Sequence, residues 1–260
     1  MKKFVALLLA VLMVASLCAC GQKGTGSDLQ TVTKGKLIMS TNAEFAPYEY
    51  VADDGKGFQG TGYEGIDIEI AYALAQKLGL ELVVDNMDFD AALSAVQTGK
   101  SDMVAAGVTV TPDRLNAMSF TDSYANGVQV VIVKEGSDIK SIDDLEGKKI
   151  GTQRGTTGFL YCSDDFGDDN VIGFDDGATA VQNLKAGKVD CVVIDNAPAQ
   201  EYVKANPGLT ILDTEYANED YAIGLAKDNT ALQEALNKAL AELKADGTIQ
   251  SIIDKYIPAK

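Results

Sequence analysis

The sequence has no histidine and no tryptophan, only 22 Lys+Arg against 38 Asp+Glu, and only four cysteines in 260 residues. Without an imidazole there is no Ser-His-Asp or Cys-His nucleophile system, no His-ligated zinc and no His general base. Any catalysis would fall to carboxylates, Lys, Tyr or Cys. The shortage of positive charge leaves a formal net charge of −16 with no basic run to offset it. That excludes the electrostatic footprint of a protein that binds nucleic acid or anionic lipid. The acidic run Asp164, Asp165, Asp168 and Asp169 comes nearest to a cation site. Phe166 and Gly167 fall at the wrong places for an EF-hand, so the run reads as a solvated loop and no metal is expected. What remains, 46% hydrophobic and 23% charged residues, is an ordinary globular composition with length for one large or two medium domains.

Long apolar runs are equally scarce. The clearest, Phe4 to Leu17 interrupted only by Ser16, follows Lys2 and Lys3 and is too short to span a membrane comfortably. This is the pattern of an export signal. Its end, Leu17-Cys18-Ala19-Cys20-Gly21, resembles the lipobox of bacterial lipoproteins, with a branched aliphatic residue three before Cys20 and a small one directly before it. The resemblance implies a signal peptide over 1–19 and lipid modification of Cys20; Cys18 does not fit, because Leu17 before it is too large. Residues 20–33, with Gly24, Thr25, Gly26, Ser27 and Asp28, read as a flexible tether, and the globular body starts near Lys34. Two cysteines remain in the body. An exported compartment permits a bridge between Cys162 and Cys191, while the apolar strand-like run around Cys191 suits a buried thiol, and both readings stay open.

The body alternates short β-branched runs with amphipathic helical segments, the signature of an α/β fold. Strands are expected over 36–40, 80–84, 102–106, 128–133, 149–152, 171–174 and 190–194. Helices are expected over 66–78, closed by Gly79, and over 89–98, closed by Gly99. Others span about 178–186, from Pro198 at a first helical position to about Asn206, from Leu232 to about Leu243, and 249–256. An internal echo stands out. Val96-Gln-Thr-Gly-Lys-Ser-Asp-Met-Val104 matches Leu184-Lys-Ala-Gly-Lys-Val-Asp-Cys-Val192, each a helix end, a glycine stop and a strand start. Two similar α/β lobes follow, with Ala106-Gly107 and Ile194-Asp195 as equivalent strand ends. Open α/β sheets bind ligands beyond the carboxyl ends of their strands, so facing lobes would enclose a ligand there.

Each strand end carries a charge. After Gly107-Val-Thr-Val, Thr111 is a plausible N-cap with Pro112 at the first helical position, and Arg114 sits in the first turn. A guanidinium there can grip a carboxylate through two parallel bonds, though a surface Arg on a capped helix fits equally. Asp195 follows the apolar Cys191-Val-Val-Ile194 and can cap the next helix or meet an ammonium. Taken together the two residues are complementary to a zwitterion. Phe45 and Phe89 lie after strand ends, where loops face a cleft as often as a core. Gly155-Thr156-Thr157-Gly158 can offer hydroxyls and N–H groups at a helix start, but lacks the lysine of a P-loop.

These segments, with Glu44-Phe-Ala-Pro-Tyr-Glu49, Gly65-Ile-Asp-Ile-Glu-Ile70, Met87-Asp-Phe-Asp90 and Ser119-Phe-Thr-Asp122, resemble the family 3 extracellular solute-binding proteins of bacterial ABC importers for polar amino acids, in order from about Lys36 to Ile257. The resemblance implies a two-lobed periplasmic-binding-protein-like fold of type II, its lobes joined by crossover strands near 125–128 and 217–222. Lobe 1 would comprise 34–126 and 219–260, and lobe 2 would comprise 127–218. It implies that Arg114 and Thr109 hold the ligand α-carboxylate with Thr157 across the cleft. Asp195 would take the α-ammonium with the Gly107 carbonyl and the Thr109 hydroxyl, while Phe45 and Phe89 pack on the ligand's aliphatic part. Asn42 stands where members that bind basic side chains or glutamine carry an acid, which weakens the case for a cationic side chain. Arg154 stands where neutral residues are frequent, and would either meet an acidic or hydrogen-bonding side chain or point to solvent.

By the same resemblance the chain is a lipid-anchored monomer on the extracellular face of the membrane or in the periplasm. It would need no cofactor, bind a free amino acid by clamshell closure, and deliver it to a membrane permease and ATPase. The rival readings are a carboxylate dehydratase of the same fold, for which the sequence offers no second charged pair in the cleft, and a sensory module.

Overall fold

The computed structural model describes residues 29–258; the leader, Cys20 and the start of the tether lie outside the described residues. β1 (Lys36–Thr41) leads into a small antiparallel ribbon of β2 (Glu44–Phe45), β3 (Glu49–Val51) and β4 (Tyr63–Glu64). Then come α1 (Ile66–Leu78), β5 (Glu81–Asn86), α2 (Phe89–Gln97), β6 (Met103–Val104), α3 (Pro112–Ala117) and β7 (Met118–Phe120). The chain crosses on β8 (Ala125–Lys134) to β9 (Ile150–Gln153), α4 (Thr157–Phe166), β10 (Val171–Phe174), α5 (Gly177–Lys185), β11 (Cys191–Asp195), α6 (Asn196–Ala205) and β12 (Leu209–Ile211). It returns on β13 (Ala217–Tyr221) to β14 (Gly224–Ala226), α7 (Thr230–Ala245) and α8 (Thr248–Tyr256).

One sheet has the order β5-β1-β6-β14-β7 and the other β10-β9-β11-β8-β12, with β13 along the first half of β8. These are the two lobes. The crossovers β8 and β13 pair antiparallel from Ala125↔Tyr221 to Gln129↔Ala217, so the link between lobes is a hydrogen-bonded ribbon.

Local chemistry explains most boundaries. In α1, Ile66, Ile70, Ala71, Leu74 and Leu78 recur at helical spacing and are buried, Asp67 and Glu69 sit at the positive N-terminus, and Gly79 closes the helix in the left-handed region (φ 68°). Leu232, Leu236, Ala239, Leu240 and Leu243 of α7 meet the same core. Each buried leucine there contributes about 1.5–3 kcal/mol. The final helices thereby return the C-terminal chain to the first lobe.

The internal echo has a structural reason. The aspartate of each Gly-Lys-x-Asp copy ties its strand to the start of a parallel neighbour. Asp102 Oδ2 accepts the Ile38 N–H at 2.7 Å, and Asp190 Oδ2 accepts the Lys149 N–H at 2.8 Å. β6 and β11 also occupy matching places, each between a parallel strand (β1 or β9) and an antiparallel one (β14 or β8).

Several expectations need correction. The helix expected from Pro198 starts at Asn196, because Asp195 accepts the Ala197 N–H and nucleates the turn two residues earlier. Pro198 then falls at the third helical position, where its missing N–H would lack an intrahelical partner anyway. Within the stretch expected as a tether, Leu29 packs on the first core and the Val32 N–H donates to Asp102 at 2.7 Å, so the chain is docked before residue 33. The acidic run is not one loop: Asp164 and Asp165 end α4, Asp168 and Asp169 form a 3-10 turn, and the Tyr216 hydroxyl donates to Asp165 at 2.6 Å. Cys162 and Cys191 stand as free thiols in one buried cluster of the second lobe, where burial pushes Cys162 up to about 12.

Candidate functional site

A cavity lies between the lobes, at the carboxyl ends of β6 and β11. Arg114 reaches it from the third position of α3, whose start is capped by the Thr111 hydroxyl accepting the Arg114 N–H at 3.2 Å. The guanidinium folds back so that Nη1 donates to the Thr109 carbonyl (2.9 Å) and Nη2 to the Gly155 carbonyl of the other lobe (3.1 Å). Its Cζ lies 5.5 Å from the centroid of the Phe89 ring. Burial lowers its pKa, opposed chiefly by the charge of Glu219; a guanidinium stays protonated even so. With five N–H donors and two of them bonded, it keeps a fork free for an anion.

Asp195 ends β11 and is 2% exposed. Oδ1 accepts the Ala197 N–H at 2.9 Å, while Oδ2 accepts the Val128 N–H and the Tyr221 hydroxyl, each at 3.0 Å. Burial pushes this carboxyl up to about 6, although the three donors pull the other way. Helix capping and the cavity position therefore coexist in one side chain. A carboxylate has about four acceptor sites, so three bonds leave capacity for one more donor.

The remaining expected residues divide. Gly107 has φ 54°, a region that favours glycine, and its N–H donates to Asp67 Oδ2 at 2.8 Å. The hydroxyls of Thr109 and Thr157 meet across the cleft at 3.4 Å. Phe45 and Phe89 both line the cavity, Phe45 stacked on Tyr48 with centroids 5.6 Å apart. Asn42 also lines it, but its Oδ1 accepts from Gln153 Nε2 (2.9 Å) and its Nδ2 donates to the Met87 carbonyl (3.1 Å). Arg154 is not brought in. Its side chain is 58% exposed, pairs with Asp175 at 3.2 Å and donates to the Gly173 carbonyl at 2.9 Å, because the residue flanks the turn at Gly155 on its outer side. Of its two readings, the solvent-facing one holds.

Among the described residues, hydrogen bonds that close the cleft include Arg114 to Gly155, Thr109 to Thr157, Gln153 to Asn42, and the Tyr202 hydroxyl to the Glu44 carbonyl at 3.3 Å. This is a closed clamshell.

Four further lining residues, Glu49, Gln129, Gln153 and Tyr221, were not singled out from the sequence. Gln129 left a signal: a lone amide inside the apolar run Val128–Val133. It is buried, and its Nε2 donates to Glu219 at 2.9 Å. Tyr221 left none, since its ring direction depends on β8. A Cβ on Gly127 would stand 2.3 Å from Tyr221 Cζ, so glycine is required there by close approach. Gly127→Ala is expected to displace the ring, strip Asp195 of its hydroxyl donor and lower stability by about 1–3 kcal/mol through overpacking. Denaturant unfolding without ligand checks this, and a change below about 0.5 kcal/mol would contradict the packing argument.

Glu49 is the largest omission. It is 1% exposed, lines the cavity, and neither carboxyl oxygen has a hydrogen-bond partner among the described residues. The cleft therefore holds a second buried carboxyl besides Asp195.

A model of the bacterial extracellular solute-binding proteins, family 3, matches residues 37–259. The chain belongs to this family. It is 33% identical over 266 residues to the arginine-binding extracellular protein ArtP of Bacillus subtilis (strain 168), covering 98% of both chains. Among solved structures, an ancestral arginine-binding protein bound to glutamine is 40% identical, with a TM-score of 0.80, over 87% of this chain and 100% of that one. The same kind of ancestral protein bound to arginine is 42% identical, with a TM-score of 0.78, over 86% and 98%. This family 3 protein thus shares its two-lobed fold with amino-acid-binding proteins.

Proposed function

We propose that this family 3 solute-binding protein captures a polar L-amino acid with a cationic side chain, arginine foremost, for an ABC importer. The observation that carries the choice of side chain is Glu49, a buried carboxyl without a donor that lines the cavity. An uncompensated buried acid is costly, and a guanidinium or ammonium would satisfy it. The similarity to proteins named as arginine-binding supports the same reading. Arg114 and the Thr109 and Thr157 hydroxyls take the α-carboxylate, Asp195 and the Gly107 carbonyl take the α-ammonium, and Phe45 and Phe89 flank the aliphatic stem. Asn42, its amide already engaged by Gln153, shapes the wall and does not read the ligand's charge.

Lobe 1 is residues 34–126 and 219–260, and lobe 2 is 127–218. A ligand biases closure only by its extra affinity for the closed form, so Thr157 and Asp195 of lobe 2 supply the switch. The chain acts as a non-enzymatic monomer, lipid-anchored through Cys20 on the extracellular side, and docks on a permease driven by an ATPase.

A thermal-shift screen of the twenty amino acids with ornithine and cystine tests the ligand class. Ligand at 100 Kd stabilises the folded form by about 2.7 kcal/mol. Arginine, lysine or ornithine should give the largest rise in melting temperature and calorimetric binding. A screen in which only neutral or acidic amino acids shift the melt would overturn the cationic reading. A bound amino acid watched by NMR should remain unchanged; turnover would favour a dehydratase.

A further inference from the structure

Behind the cavity wall Glu49 has a partner of its own sign. Asp67, in the first turn of α1 and 1% exposed, is held by the Gly107 N–H on Oδ2, while its Oδ1 makes no hydrogen bond of good geometry among the described residues, with the Tyr124 hydroxyl lying near it. The Asp67 N–H donates to the Tyr48 carbonyl at 2.9 Å, which brings Asp67 beside Glu49, and each carboxyl acts on the other. The other ionisable groups around them are the hydroxyls of Tyr48 and Tyr124 and the carboxyls of Asp195 and Glu219; neither Glu49 nor Asp67 makes an ion pair among the described residues, and Arg114 is the guanidinium of the cavity. Two adjoining carboxylates taken out of water with no cation cannot both ionise. A single proton between them resolves the orphaned atoms: one O–H donates to the facing oxygen, and the remaining Glu49 oxygen is left towards the cavity. Burial and the Asp67 charge both push Glu49 well above the usual carboxylate range.

We propose that Glu49 and Asp67 share one proton in the absence of a cationic ligand and surrender it when such a ligand binds, so that the protein exchanges a proton for the side-chain charge. In this step the carboxyl O–H bond breaks, the proton passes to solvent buffer, and the carboxylate left behind pairs with the guanidinium or ammonium. A neutral amino acid presents the same α-carboxylate and α-ammonium but leaves the proton in place. The pair thus reads side-chain charge, and below the pair's own pKa the preference for cationic over neutral ligands grows by up to about tenfold for each unit that the pH rises. The inference rests on the cationic-ligand reading of the cavity.

Titration calorimetry of the whole protein with arginine and with glutamine, at pH 7.5 in phosphate, HEPES and Tris, tests it. The slope of observed enthalpy against buffer ionisation enthalpy counts protons. Arginine should release up to about one proton more than glutamine, a difference that also removes any contribution of Asp195. Glu49→Gln should abolish the difference and narrow the arginine-to-glutamine affinity ratio; Asp67→Asn, which keeps Glu49, serves if the first variant does not fold. Should glutamine not bind, the arginine slope in the wild type against that in the variants takes its place. Arginine binding with no proton released overturns this inference alone. Failure of arginine, lysine and ornithine to bind overturns the ligand reading and this inference with it.

Discussion

Arg114→Ala is expected to weaken amino-acid binding by about 3–5 kcal/mol, roughly two to three and a half decades in Kd. The guanidinium is a half-buried cation that lines the cavity, and its loss leaves the ligand carboxylate with no counter-charge. The same substitution removes the donors to the Thr109 and Gly155 carbonyls, and with the latter a contact that bridges the lobes. Closure should therefore suffer along with affinity. Arg114→Lys separates the two effects, since it restores the charge but not the planar fork that serves both a carbonyl and a carboxylate. Titration calorimetry decides the point: an alanine variant within fivefold of wild-type affinity would sink the carboxylate role.

Asp195→Ala should cost a similar amount of binding and, unlike Arg114→Ala, a separate loss of stability without ligand. Removing the cap of α6 costs about 1 kcal/mol, and the buried Val128 N–H and Tyr221 hydroxyl lose their acceptor at about 1–3 kcal/mol. Asp195→Asn retains one acceptor oxygen, so it should recover part of the stability but little of the affinity. If asparagine binds as well as aspartate, the ammonium is read elsewhere.

The pH behaviour of Asp195 has an unusual sign. Its folded pKa, about 6, lies above the ordinary 3.8, and so does that of Asp67, also about 6, in both cases chiefly through burial. Their contribution to stability is fully present below about pH 4 and is lost as pH rises through 6. The ligand-free protein should therefore lose stability from this source between pH 4 and 6, while affinity for an ammonium-bearing ligand rises over the same window. Asp195→Asn should flatten the Asp195 share of both trends, read as melting temperature and Kd against pH.

What was legible in the sequence was what local rules decide. Helix α1 could be read because apolar spacing and a closing glycine act within a few residues, and the 88-residue echo because each Gly-Lys-x-Asp copy performs the same tie at the head of its strand. Asp195 was legible for a related reason, since a charge at the end of a buried strand has few places to go other than the crevice, and Arg114 because a Thr-Pro helix start places it in the first turn beyond a strand end.

Tertiary structure alone decided the rest. Arg154 sits one residue from Gly155, whose carbonyl meets Arg114, yet its side chain leaves the cleft, because direction at a turn is set by backbone angles that residue type does not encode. Asn42 is consumed by Gln153, 111 positions away, and Glu49 became significant only once Asp67 proved to be its neighbour and no base did. Periodicity and capping act over a turn or two of chain. Which charges end up facing each other out of water depends on how two sheets close over a common gap, and only the folded molecule fixes that.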